Sequence, residues 1–504
     1  MNRRRQLAII GTAVLATAAV AAAPIQDLTP AGQRAVATGV FAAILWVTGA
    51  LPLAVTALSI PVLLTVLGVY GDLAPALLGF ADPVIFLLLA GFVLAEALQV
   101  HDIDRRIAYR LLVRMGTSPA GLVLAVMVAT AALSTIVSNT ATAAMMAPVA
   151  MSLAGEVSTR DAEAPPNLEI TMLLGTAYAA SIGGVATLIG TPPNAIVAAT
   201  LRESLDIQVS FLTWLAVGLP VAVIGTPLAW YLLVRVVFPV ADTDVTPARD
   251  HARQALADLP PLGPRGRRTV LIVAATAVLW LAGGLGYFLD TVLPRTVHTT
   301  LFGGSGAWLF GPGPYQGVLY YVVVGLLAIP TLVATDAADW DDLVDIDYDT
   351  LLLLGGGISL ADALAATDAM TWLGGHVEVL AATLPIIPLI LALTVFTILL
   401  SELASNTAVA AVFVPVVVTI GPAYALALGV GETVAATFLA VVVGLAASFG
   451  FAIPVATPPN AIVYGTGAVD RDHMLRAGVV LDLLFAAIIT ITLYITLTVA
   501  WPLG

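Results

Sequence analysis

The chain has 504 residues, of which 60% are hydrophobic and only 10% charged, and its formal net charge is −13. A soluble protein carries about 25% charged residues, so a soluble globular domain is excluded, and the polar breaks are too short to hold a separate one. There is no cysteine, which rules out disulfides, thiol catalysis and Fe–S chemistry.

A helix that crosses the hydrocarbon core needs about 20 mostly apolar residues, and such runs recur along nearly the whole chain. Arg3, Arg4 and Arg5 precede an apolar run, Leu7 to Ala23, that ends on three alanines. A secretory signal has this form, but the many later spans favour a retained first helix with its basic end inside. Spans are predicted at 6–24, 33–50, 51–70, 76–98, 168–200, 211–238, 269–290, 316–335, 350–366, 433–464 and 476–501. A turn at Leu51-Pro52 separates the second and third. Two further apolar stretches, 119–154 and 385–421, are each interrupted by a polar Ser-Asn-Thr triplet and read as re-entrant hairpins. A β-barrel would instead show segments of about 10 alternating residues.

The arginines test this topology. With the N-terminus inside, the inner segments hold sixteen of them and the outer segments three, Arg34, Arg202 and Arg295. Positive residues concentrate on the cytoplasmic side of short loops. Reading either hairpin as a through-going span would invert everything after it and spoil the count. The same parity places the C-terminus outside. All nineteen basic residues are arginine, and seven aspartates lie between Asp336 and Asp349. This acidic, lysine-free composition fits loops hydrated in high salt, and equally a GC-rich genome that writes Arg for Lys.

The chain repeats itself. Gly91–Leu98 aligns with Gly357–Leu364 at an offset of 266, Ser138-Asn139-Thr140 with Ser405-Asn406-Thr407 at 267, and Thr191-Pro192-Pro193-Asn194 with Thr457-Pro458-Pro459-Asn460 at 266. Five full spans lie between the two triplets, so the halves have opposite orientations, as in many secondary transporters. The expected architecture is an all-α polytopic membrane protein with two inverted-topology repeats, about 11 transmembrane helices and two re-entrant hairpins. Residues 1–118 form a first scaffold segment and 119–238 a first transport segment; 239–384 form a cytoplasmic linker with a second scaffold segment, and 385–504 a second transport segment.

Pro-Pro cannot sit inside an unbroken helix, and unwound backbone at membrane depth survives only where it is buried in protein or lines a cavity. The two Thr-Pro-Pro-Asn segments therefore mark breaks in two spans, and the triplets mark two hairpin tips. Ser and Thr hydroxyls, Asn amide oxygens and freed carbonyls suit a hard cation, while helix N-termini after each break favour an anion. No Arg, Lys or His lies in either triplet or either Pro-Pro segment. A dianion there needs bound cations to neutralise it. A lone Ser-Asn-Thr is more often packing glue; both motifs together, twice and in register, point to a site. Glu402 lies on the second hairpin, and its repeat partner is Thr135, so a functional carboxylate and a buried hydrogen-bonded one are both open. Glu96 and Asp362 are repeat-matched near span ends and read as helix termination, and Trp46 and Tyr70 as packing aromatics. No Walker-type loop suggests ATP coupling. The five histidines are scattered, and no nucleophile–base pair or metal cluster suggests an enzyme.

At these residues the chain resembles the divalent anion–sodium symporter family. Ser138-Asn-Thr-Ala-Thr-Ala-Ala and Ser181-Ile-Gly-Gly-Val-Ala-Thr-Leu-Ile-Gly-Thr-Pro-Pro-Asn194 are similar to its first-half signatures. Ser405-Asn-Thr and Pro454-Val-Ala-Thr-Pro-Pro-Asn-Ala-Ile-Val463 are similar to the second-half ones. The resemblance implies a homodimer in the inner or plasma membrane, in which a transport domain slides against a scaffold as an elevator. It implies one sodium site at Ser134, Ser138, Asn139 and Gly190, and another at Ser401, Ala404, Asn406 and Ala456. It implies a substrate site of Asn139, Thr140, Asn406 and Thr407, with Thr191, Thr457 and Pro458 nearby. Na⁺ is then the coupling ion, with no organic cofactor and no nucleic-acid partner. Having Thr-Pro-Pro-Asn twice favours carboxylates, and C4-dicarboxylates such as succinate, malate or fumarate come first. One departure is Gly49, where many relatives carry a glutamate. The alternatives are a cation-independent dicarboxylate exchanger, a sulfate or citrate transporter of the same fold, and a passive anion channel or transporter-derived sensor.

Overall fold

A computed structural model describes residues 3–158, 167–307, 311–370, 372 and 385–496. The first half runs α1 (Arg3–Ala22), α2 (Pro30–Thr48), α3 (Leu53–Val66), α4 (Pro83–Val100), α5 (Ile103–Met115), α6 (Pro119–Ser134), α7 (Asn139–Ser158), α8 (Asn167–Gly184), α9 (Pro192–Leu205) and α10 (Phe211–Tyr231), the last continued by a π-turn to Val237. The second half runs α11 (Thr246–Asp258), α12 (Pro264–Gly283), α13 (Tyr321–Ala334), α14 (Tyr348–Ala366), α15 (Ile386–Leu403), α16 (Asn406–Ile420), α17 (Glu432–Ala447), α18 (Pro458–Gly465) and α19 (Arg471–Ile495).

The helix starts follow from local chemistry. An apolar setting makes each unpaired backbone N–H costly. Proline at the first helical position removes one of them, and a side-chain oxygen just before it accepts another. Thr29-Pro30, Asp82-Pro83 and Ser118-Pro119 each open a helix in this way, with the cap accepting from Gly32, Val84 and Gly121 respectively. Gly49 ends α2 with φ +59°. That left-handed conformation suits glycine and accounts for the departure from glutamate there.

Nine described helices are long and apolar enough to cross a membrane. Seven coincide with predicted through-spans and two are the arms of the second hairpin. The predicted spans 51–70 and 316–335 are represented by the shorter apolar helices α3 and α13, and 168–200 and 433–464 are each split, as the Pro-Pro motifs require: α8 and α9 flank one break, α17 and α18 the other. These split spans form the core. Nearly every residue of α8 is buried, as is α17 from Ala435 to Ala447. Both are rich in Gly, Ala, Ser and Thr, which lets neighbouring backbones approach closely.

The halves interlock. Helix α8 packs on α6 and α7, and α17 on α15 and α16. The second piece of each broken span crosses over: α9 lies on α16 and α17, and α18 on α7 and α8. Around them α14 packs on α3, and α4 and α12 on α13.

Several described elements lie outside the predicted set, among them two polar helices, a short ribbon and the helix Arg295–Phe302. The polar helices α5 and α11 pack together, and α11 also covers α7; their charged sequences hid them from a search for apolar runs. Gly304–Ala307 and Gly311–Tyr315 pair as an antiparallel ribbon in an otherwise helical protein. Glu96 and Asp362 each lie four residues before the end of their helix, at Val100 and Ala366 respectively. Trp46 is buried, and its indole donates to Leu53 O at 3.2 Å.

Candidate functional site

Each break leaves carbonyls and N–H groups without helical partners, and side chains from the neighbouring hairpin take them up. In the first half, Ser134 Oγ donates to Ala180 O at 2.7 Å. In the second, Ser401 Oγ donates to Ala447 O at 3.0 Å. Both members of the pair are shifted by 267 residues, so one bond is built twice.

The Asn139 carboxamide brings one end to three oxygens: Ser134 Oγ at 2.6 Å, Ala180 O at 3.0 Å and Gly190 O at 3.2 Å. All can accept, so hydrogen bonding turns the NH₂ end toward them, whereas a cation in that place would take the oxygen end instead. The result is a small cluster of hard oxygens at the start of α7. A Cβ on Gly184 would collide with the Asn139 amide, and one on Gly190 with the Gly184 carbonyl, so glycine at these two positions keeps the space open. In the second half, Asn406 donates through Nδ2 to Ser448 O at 3.1 Å, and its Oδ1 is buried with no hydrogen-bond partner. A buried, unpaired amide oxygen beside freed carbonyls is the donor set a sodium ion would accept. Ala404 ends α15 next to it, and Ala456 is buried in the second break with its methyl against Gly450.

A cavity of about 260 Å³ reaches the first triplet. Ser138 and Thr140 line it together with Phe92, Glu96 and Gln99 of α4 and with Asp345 and Asp347 ahead of α14. Its lining holds three carboxylates and no basic side chain. Thr140 is exposed there. Asn406, Thr407, Thr457 and Pro458 do not border this cavity. Thr407 and Thr191 are buried, and the Thr457 hydroxyl caps α18 by accepting from Asn460 N at 3.2 Å.

Two kinds of residue escape a reading of the sequence. The asparagines that close the Pro-Pro motifs clasp the unwound loops. Asn194 Nδ2 donates to Gly184 O at 3.0 Å and Thr187 O at 2.7 Å; Asn460 Nδ2 donates to Gly450 O at 2.9 Å and Ile453 O at 3.1 Å. The repeat itself is the signal that could have found them. The other is Asp482 on α19, which accepts from Phe451 N at 3.2 Å beside Glu402. Nothing in the sequence links these two acids, which are 80 residues apart.

A family model described as the sodium:sulfate symporter transmembrane region matches residues 5–502. An uncharacterized transporter of Haemophilus influenzae is 34% identical over 91% of this chain and 91% of its own. Sodium-dependent dicarboxylate transporters named SdcS, from Staphylococcus saprophyticus and Staphylococcus aureus, are 28% and 27% identical over 93% of this chain and 86% of theirs. Among solved structures, the YdaH transporter of Alcanivorax borkumensis, whose structure is described as having an unusual topology, covers 99% of both chains at a TM-score of 0.57 and 18% identity. That last likeness concerns the fold. The chain belongs to the sodium:sulfate symporter family and is a multi-pass membrane transporter.

Proposed function

We propose that this member of the sodium:sulfate symporter family imports small dianions, C4-dicarboxylates first, in symport with Na⁺. It is a carrier rather than an enzyme. One sodium ion sits among Ser134, Ser138, Asn139 and Gly190, and another among Ser401, Ala404, Asn406 and Ala456. The dianion lies on the N-terminal ends of α7 and α16, held by Asn139, Thr140, Asn406 and Thr407. The observation that carries this reading is the acid-lined cavity at Ser138 and Thr140, with no basic side chain in its lining. Two negative charges entering such a cavity are repelled unless cations arrive first. The doubled clusters of uncharged oxygens supply places for them, and both relatives named SdcS are described as sodium-dependent. The inverted halves support alternating access, with 119–238 and 385–504 moving against a scaffold of 1–118 and 239–384 in a homodimer. The N-terminus is cytoplasmic and the C-terminus external in the plasma membrane; residues 497–504 lie outside the described residues.

Uptake of labelled succinate into proteoliposomes tests this. A sodium gradient drives accumulation, and choline in its place abolishes it. Binding by calorimetry shows reciprocity, Na⁺ and succinate raising each other's affinity by the same factor. Equal succinate binding in choline would sink sodium coupling and favour the cation-independent exchanger.

A further inference from the structure

Asp82 precedes α4 and uses its two carboxylate oxygens differently. Oδ1 accepts from Val84 N at 2.7 Å and caps the helix. Oδ2 accepts from the Arg202 guanidinium, on the last turn of α9. The Asp82 side chain is wholly buried and that of Arg202 is 25% exposed. The neighbouring Glu203 lies 3.2 Å from the same guanidinium. Its carboxyl faces those of Asp362 on α14 and of Asp82, so the four side chains lie together.

This cluster joins pieces that the proposed function sets in relative motion. Helix α9 is half of a broken span and packs on the second hairpin. Asp82 and Asp362 stand on α4 and α14, which belong to the scaffold. At the opposite ends of those two helices the contacts part: Glu96 and Gln99 of α4 and Asp345 ahead of α14 border the cavity that reaches Ser138. The cluster and the cavity thus lie toward opposite ends of α4 and α14.

We propose that Asp82, Arg202, Glu203 and Asp362 form a latch that holds the transporter in its one-side-open state and must release in each cycle. The proposal rests on the moving-domain reading above. A half-buried ion pair is costly to break when one partner is withdrawn, so the latch biases the equilibrium between the two states. The alternative is a static brace within a rigid body, and experiment separates the two.

Glu203→Cys with Asp362→Cys, in a chain with no other cysteine, is treated with a short bifunctional thiol reagent that reduction reverses. A latch predicts that cross-linking lowers Na⁺-driven succinate uptake roughly tenfold or more and that reduction restores it, because the alternative state becomes inaccessible. Uptake at the untreated rate in cross-linked protein overturns the proposal. A second measurement needs no transport. Gln99→Cys reports how open the cavity is through its rate of reaction with a hydrophilic maleimide in purified protein. Arg202→Gln in that background slows the reaction roughly threefold or more as the open state loses population, and Arg202→Lys restores it in part. An unchanged rate in a folded Arg202→Gln protein overturns the latch. Absence of Na⁺-driven uptake in the unmodified protein would instead defeat the transport reading, and the maleimide rates would still decide the latch.

Discussion

Glu402 accepts a hydrogen bond from the backbone N–H of Ile453 at 3.0 Å. The matching positions in the first half are Thr135 and Thr187, and they are joined too, with side chain and backbone exchanged: the Thr187 hydroxyl donates to the Thr135 carbonyl. The reason is the length of each break. Helix α8 runs to Gly184, whereas α17 stops at Ala447, three residues before the equivalent Gly450. The longer unwound segment frees the N–H groups of Phe451, Ala452 and Ile453. Glu402 takes the last two, with Ala452 N at 2.6 Å, and Asp482 takes the first. Of the two roles open for Glu402, the structure favours a holder of the second break.

Glu402→Ala therefore leaves two N–H groups unpaired, the buried one of Ala452 costing about 1–3 kcal/mol and the half-buried one of Ile453 less. The melting temperature in detergent falls, and the apparent affinity for Na⁺ weakens because the loop beside Asn406 loosens. Glu402→Gln, which keeps an acceptor oxygen, loses less on both measures. If alanine leaves both unchanged, Glu402 is not holding the loop.

The clasps at Asn194 and Asn460 make a second test. Each side chain bridges two carbonyls across a break. Replacement by alanine removes both bonds, and the expected loss is about 1–3 kcal/mol for each site. Thermal melting reads the loss, and equal falls for Asn194→Ala and Asn460→Ala are expected from the shared geometry.

Gly184→Ala places a methyl against the Asn139 amide. Sodium-dependent uptake is lost while the protein still reaches the membrane. Gly155→Ala is the control, because nothing lies within 4 Å of the added carbon. Full uptake by Gly184→Ala would remove Asn139 from the cation site.

The two triplet threonines are predicted to respond alike in substrate affinity. Thr140→Val and Thr407→Val keep the shape and delete the hydroxyl. An unpaired buried group costs about 1–3 kcal/mol, so the KM for succinate rises roughly tenfold for each. Thr140 is exposed and Thr407 buried, so a change confined to Thr140 would restrict the substrate site to the first half.

Topology is checked by single cysteines. On α11 Ala252 is buried, so a cysteine there would be shielded from reagent. Gln254 on the same helix and Thr296 are exposed. In intact cells an impermeant thiol reagent labels Thr296→Cys and spares Gln254→Cys. Equal labelling of both from outside contradicts the arginine-based orientation.

Much of this was legible in the residues themselves. Apolar runs near 20 residues, proline after a capping oxygen, and a doubled Ser-Asn-Thr and Thr-Pro-Pro-Asn at offsets of 266 and 267 are local signals. They determine where helices start, where two of them must break, and that the halves repeat. Tertiary structure alone decided which freed backbone groups meet which side chains. Ser134 finds Ala180, Asn194 finds Gly184, and Glu402 and Asp482 share one loop because helices far apart in sequence pack together there. The repeat could not foretell that α17 ends three residues early, since helix termination inside a packed core depends on the partners available to each freed N–H. Arg202 read only as an outer arginine, and Asp362 only as a span end. Their meeting with Asp82 and Glu203 is a product of long-range packing, which no local pattern of charge or hydropathy encodes.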